Sequence, residues 1–180
     1  MGTGQMLVTI GAVMLLGSVI LTTNRGITSS GEVMLKTNFA LESTSLAAST
    51  IDEAMYLPFD NASANSFGES TTYIAINQTN LLTAPNLLGS ENSTDAVTPD
   101  DFDDYNGPAG GADQYRLQTI NDSTGVYKVK TSVCYVNKND LNGRSLSATW
   151  LKRLDVSVWN TADSLDTVKM SAIYAYWYFR

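Results

Sequence analysis

The hydrophobic pattern divides the chain into stretches with different periods. Met6 to Leu21, MLVTIGAVMLLGSVIL, is apolar on every side of a helical wheel and carries neither charge nor proline. From Glu32 to Tyr56 a helical period emerges. Met34, Leu41, Ala48 and Met55 recur every seven residues, and Ala47, Ile51 and Ala54 fill the same side. Leu35, Phe39 and Leu46 form a second apolar edge, with Lys36, Glu42, Asp52 and Glu53 at the polar positions. Two edges predict two contacts, one with the chain's own domain and one with another chain. Pro58 closes the pattern, because the residue before a proline is driven away from helical angles.

Thr22 to Gly31, TTNRGITSSG, interrupts the run with two glycines and several Ser, Thr and Asn residues. Such residues cost up to ~1 kcal/mol each relative to alanine in a helix. The composition predicts a bend, a partly unwound stretch or a break between two helices near residues 22–31. As one helix, residues 2–56 would reach ~80 Å at about 1.5 Å per residue.

Beyond the helix the period changes to two. Residues 115–121, 125–137, 148–160 and 166–179 read as strands, divided by turn signals at Asp122–Gly125, Asn139–Gly143 and Asn160–Asp166. Short links between them favour an antiparallel meander. Tyr127, Val129, Val133 and Tyr135 alternate with a Lys pair and Ser132, and Leu154, Val156 and Val158 alternate with Arg153, Asp155 and Ser157. One face should pack against the helix and the other meet solvent or a neighbour. The final YAYWYF is aromatic on both faces, so both should be covered. TTYIAI (Thr71 to Ile76) predicts a short strand, Leu81 to Leu88 fits no single element, and residues 89–113 form a long acidic loop. The resulting fold class is α+β. A long helix occupies 1–57 (apolar half 6–21, amphipathic half 32–56), and a β-rich globular domain occupies 58–180.

Composition narrows the chemistry. The net charge of −7 leaves no basic footprint for nucleic acid. With no histidine, Ser-His-Asp and Cys-His sites and His-containing zinc sets are excluded. No other spacing marks an acid–base pair, a nucleophile or a phosphate loop, so the chain reads as a non-enzyme that needs no cofactor. The single cysteine, Cys134, sits in an alternating run and reads as a buried strand thiol that forms no intrachain disulfide. Asp100, Asp101, Asp103 and Asp104 form the densest acidic cluster. A solvated loop is the expected state, with an oxygen-rich Ca²⁺ site as the alternative. Asn61, Asn77, Asn92 and Asn121 each begin an Asn-x-Ser/Thr sequon and are candidate glycosylation sites on an exported surface.

The apolar run bears on membranes as well. Its 16 residues fall short of the ~20 that span a bilayer, although Thr22 and Thr23 extend it and Arg25 can reach the interface. MGTGQ before it has no basic residue, and no signal-peptide cleavage site stands out after it. Ser18, Thr22, Gly26 and Ser30 follow one another at intervals of four, with Gly11 seven before Ser18. They line one face with small side chains, along which a second helix can approach closely.

An uncharged apolar half-helix, an amphipathic continuation and an antiparallel sheet resting on it together resemble a type IV pilin or pseudopilin. The likeness is architectural and spans essentially the whole chain, including the junction SLAASTIDEAMYLPFD (Ser45 to Asp60). It implies a structural subunit of an extracellular filament at the cell surface. Such a subunit is transiently anchored in the inner membrane, handled there by assembly machinery, and then polymerised with copies of itself. The residues it implicates in assembly are Gln5, Met6, Leu7, Ile10, Val13, Leu16, Ser18, Ile20 and Leu21. Gln5 stands where mature pilins commonly carry glutamate; in a frame cut after Gly4 that place falls to Thr9. Two other readings are a minor pseudopilin of a secretion machine and a singly anchored extracytoplasmic binding domain.

Overall fold

The structure, a computed structural model, describes residues 2–63, 74–75, 77–91, 98–110 and 114–176. Helix α1 runs from Thr3 to Tyr56. The chain divides into two compact units, Met1–Phe39 and Ala40–Arg180, so α1 supplies all the helical residues of the first and enters the second.

The helix is continuous where the sequence favours a break. Residues 22–31 stay helical, and the hydroxyls of Thr22, Thr23 and Thr28 donate to the carbonyls of Ser18, Val19 and Asn24, four residues back, at 2.8–3.0 Å. Each threonine thereby satisfies its polar group on its own helix instead of competing for the backbone. Thr37, Thr44 and Thr50 repeat the device. Leu57 then closes the last turn onto the Ala54 carbonyl at 3.2 Å, and Pro58 ends the helix as expected.

In the second unit, the carboxyl-terminal part of α1 packs on an antiparallel sheet. Its buried residues are Ser43, Ala47 and Ala54. All are small and lie on one helical face, which lets the helix backbone approach closely. Met34 and Leu41, on the edge of seven-residue spacing, remain exposed.

The sheet contains β1 (Arg116–Asp122), β2 (Gly125–Asn137), β3 (Asp140–Arg144), β4 (Leu151–Asn160) and β5 (Asp163–Ala175), ordered β1-β2-β4-β5 with β3 paired to the end of β2. The four expected strands are thus neighbours in chain order, as a meander requires. β3 was expected to be turn. The reversal there needs only Lys138 and Asn139, and Asp140 Oδ1 accepts from the amides of Asn142 and Gly143 at 3.1 and 2.9 Å inside the short strand. Likewise Thr161 and Ala162 alone turn the chain into β5, which starts earlier than its polar first residues suggest. Residues 148–150, expected to open β4, belong instead to a loop over 145–150. Residues 71–73 and 76 of the expected TTYIAI strand, and Trp177 to Phe179 of the final aromatic run, lie outside the described residues; Ile74 and Ala75 are not in a strand.

Alternation holds on the central pair. Tyr127, Val129, Thr131, Val133 and Tyr135 of β2 are buried and face Asn160, Val158, Val156, Leu154 and Lys152 of β4. Gly125 begins β2 at φ +154°, and a Cβ there would stand 2.6 Å from Asn160 Nδ2, so only glycine closes this corner. Phe59, Ile74, Leu82, Leu88 and Tyr135 form a second apolar cluster, flanked by Ala148, Trp150, Tyr174 and Tyr176.

Candidate functional site

The residues implicated in assembly sit on a helix surface that the chain itself leaves uncovered. Every large apolar side chain from Met6 to Leu21 is 51–73% exposed. Gln5 and Ser18 are exposed too, and a Cβ added at Gly4, Gly11 or Gly26 would meet nothing within 4 Å. The most apolar window has a mean hydropathy of 2.2, and α1 is long and apolar enough to cross a membrane. A helix apolar on all sides is stable only when lipid or other protein surrounds it.

A second constellation lies where the helix hands over to the globular domain. Lys152 takes an inward position on β4, directly across from Tyr135 on β2 and Tyr174 on β5. Its side chain is wholly buried. Nζ donates to the Phe59 carbonyl at 2.7 Å, to Asp60 Oδ2 at 2.8 Å and, at very close range, to Asp103 Oδ1. The ammonium also lies 4.4 Å from the Phe59 ring centroid and 5.1 Å from that of Tyr135, a placement that rings with negative faces favour. Asp60 is held from several sides. Its Oδ1 accepts from the Ala62 amide at 3.1 Å and the Thr83 hydroxyl at 3.0 Å, and its Oδ2 accepts from the Tyr135 hydroxyl at 3.1 Å. Tyr174 donates to the Leu57 carbonyl at 3.0 Å and ties β5 to the helix end.

Three of the four clustered aspartates are not solvated, which corrects the expectation for Asp101, Asp103 and Asp104. Asp101, Asp103 and Asp104 are fully buried. Asp101 Oδ1 accepts from the Asp103 amide at 2.7 Å, and Asp104 Oδ2 from the Asp100 amide at 2.8 Å, so these carboxylates shape the turn that presents Asp103 to Lys152. The Phe102 amide bonds to the Pro58 carbonyl, the Thr131 hydroxyl to the Tyr105 carbonyl, and Asn106 bridges Leu88 and Val133. Gly89 permits the closest approach: at φ +131°, a Cβ would lie 1.8 Å from the Gly107 carbonyl oxygen. For the Ca²⁺ alternative at Asp100, Asp101, Asp103 and Asp104, the same geometry gives the orientation of the oxygens. One carboxylate turns to Lys152 and two turn to backbone amides, and among the described residues no three acidic, Cys or His side chains are grouped to hold a metal ion.

Burial raises the Asp101 carboxyl to about 9, reinforced by the charge of Asp103 and opposed by Lys152. Burial likewise raises Asp103 to about 7, against the pull of Lys152. Asp104 also rises to about 7 through burial, against the amides of Asp100 and Asp101. Asp60 goes the other way: burial pushes it up, but Lys152 and the Ala62 and Thr83 donors together hold it below the ordinary carboxylate value. Burial would lower Lys152, yet Asp103 and Asp60 outweigh it and keep the ammonium above its usual range.

These directions fix a pH dependence. Asp101 and Asp104 bind protons in the fold that the unfolded chain releases, so their stabilisation is complete below 3.8 and is lost as pH rises through about 7 for Asp104 and about 9 for Asp101. Asp60 contributes oppositely, losing its share as pH falls through its depressed value. The melting temperature should therefore drop from about pH 6 to about pH 9. Differential scanning calorimetry across that range checks it, and a rise would contradict the protonated state of the two aspartates.

The sequence reading missed Lys152, Asp60 and Tyr135 as a unit. One signal was present: Lys152 shares the inward parity of Leu154, Val156 and Val158, so a strand buried at those positions buries the lysine too. Nothing local marks Asp60. Cys134 is a buried free thiol on β2, as expected. Of the sequon asparagines, Asn61, Asn77 and Asn121 are exposed and Asn92 lies outside the described residues. Comparison of the chain with protein-family models, with curated proteins and with solved structures found no match.

Proposed function

We propose that the chain is a structural subunit of a pilus-like extracellular filament, assembled by packing Met6–Leu21 helices from many copies into a common core. The observation that carries this reading is the uncovered apolar helix, attached to a domain with an acidic net charge and its own core. At ~25 cal/mol per Å², burying about 400 Å² per helix is worth about 10 kcal/mol per subunit. A head-to-tail contact that does not close propagates as a helical polymer. Gly11, Ser18, Thr22, Gly26 and Ser30 supply the small-residue row for close approach, while Met34 and Leu41 leave an apolar edge for a neighbour. Before assembly the same helix would sit in the inner membrane, where assembly machinery draws on it, and the finished polymer lies at the cell surface.

The hydropathy of α1 favours a second reading, a singly anchored extracytoplasmic binding domain. Shearing cells and examining the released material by electron microscopy, with antibody against residues of the globular domain, separates the two. Labelled fibres in the sheared fraction are the expected result. A chain that stays with membranes and labels no fibre would refute the filament reading.

A further inference from the structure

Lys152 and Asp103 have the surroundings of a reaction as well as those of an ion pair. The lysine is sealed from water between the Phe59 and Tyr135 rings, with its nitrogen in close contact with Asp103 Oδ1 and 2.8 Å from a second carboxylate, Asp60. Asp103 Oδ2 is buried and has no hydrogen-bond partner. One cation thus faces two carboxylates in a medium that penalises charge. Those partners hold the proton on Nζ, and with water excluded the nitrogen and the Asp103 carboxyl stay in contact for the rare moments in which Asp60 takes it. A neutral amine held against a protonated carboxyl, with a proton carrier beside both, is the arrangement that amide formation needs.

We propose that Lys152 and Asp103 join in an intramolecular amide bond, with Asp60 as the catalytic proton carrier. The reacting set is the Lys152 ammonium, the Asp60 carboxylate and the Asp103 carboxylic acid. Asp60 takes a proton from Nζ, and the freed lone pair attacks Cγ of Asp103, forming the C–N bond. The C–O bond to the Asp103 hydroxyl then breaks, and that hydroxyl leaves as water. Of the three ammonium protons, one stays on the amide nitrogen, one departs in the water and one ends on Asp60. Charge and atoms balance with no oxidant or co-reactant. The raised carboxyl of Asp103, pushed to about 7 by burial, keeps the electrophile in its acid form near neutrality. The elevated ammonium of Lys152 means that the amine arises only transiently, so the bond forms once and slowly after folding.

The product staples the turn at Asp103–Tyr105 to β4 across 49 residues of chain, in a protein whose single cysteine allows no internal disulfide. A link of that span removes much of the freedom of the unfolded chain. The test is the mass of the intact full-length chain, denatured, followed by proteolysis and fragment sequencing. The expected result is a mass short by one water and a branched peptide joining Lys152 to Asp103, with the full mass restored in Lys152→Arg. Asp103→Asn is expected to link as well, releasing ammonia in place of water. A wild-type mass equal to that of the sequence overturns the proposal, whatever the variants do. So does a loss of water that maps to a single unbranched peptide, or to Asp60.

Discussion

Cells making the Val13→Asp variant should carry no fibres while still producing the protein. Val13 lies mid-way along the apolar helix and is exposed to whatever surrounds it. A carboxylate at the centre of an apolar helix costs about 2.5–3.5 kcal/mol on insertion scales, and the penalty grows where water cannot follow. That amounts to a loss of roughly 100-fold or more for each subunit added, and polymerisation repeats it at every step. Leu16→Asp should behave in the same way. Counting fibres per cell, with whole-cell immunoblots as control, measures the effect. Normal fibres from either variant would mean that the core is built elsewhere.

Lys152→Met should destabilise the globular domain by about 3–5 kcal/mol, the usual cost of removing one partner from a buried ion set. The substitution keeps the volume but strands Asp60 and Asp103 without a cation and takes a donor from the Phe59 carbonyl. Lys138→Met, at an exposed position beside β3, is the comparison and should change stability by no more than about 0.5 kcal/mol. Chemical denaturation of the two variants and the parent gives the answer. A Lys152→Met midpoint within error of the parent would show that the cluster contributes nothing to the fold.

Period alone made the helix and four strands legible. Pro58 marked the helix end, and inward Leu154, Val156 and Val158 marked the face of β4. Features that depend on partners far along the chain were not legible. Thr22, Thr23 and Thr28 read as helix breakers because propensity does not know that their hydroxyls bond back to their own helix. The dense aspartates read as a solvated loop because their burial depends on Lys152, distant in sequence and itself an unexpected inward residue. β3 was hidden by Asn and Gly, which normally signal a turn but here sit within a strand braced by Asp140. The exposed apolar surface of α1 belongs to the legible part, since an all-round apolar helix shows its character without any tertiary partner.

Helical reconstruction of the isolated fibre by electron cryomicroscopy tests the central claim most directly. The expected map places residues 6–21 along the axis, each helix surrounded by the same segment of neighbouring copies, with the sheet domains on the outside. A fibre joined through its sheet domains, with residues 6–21 outside the core, would contradict it.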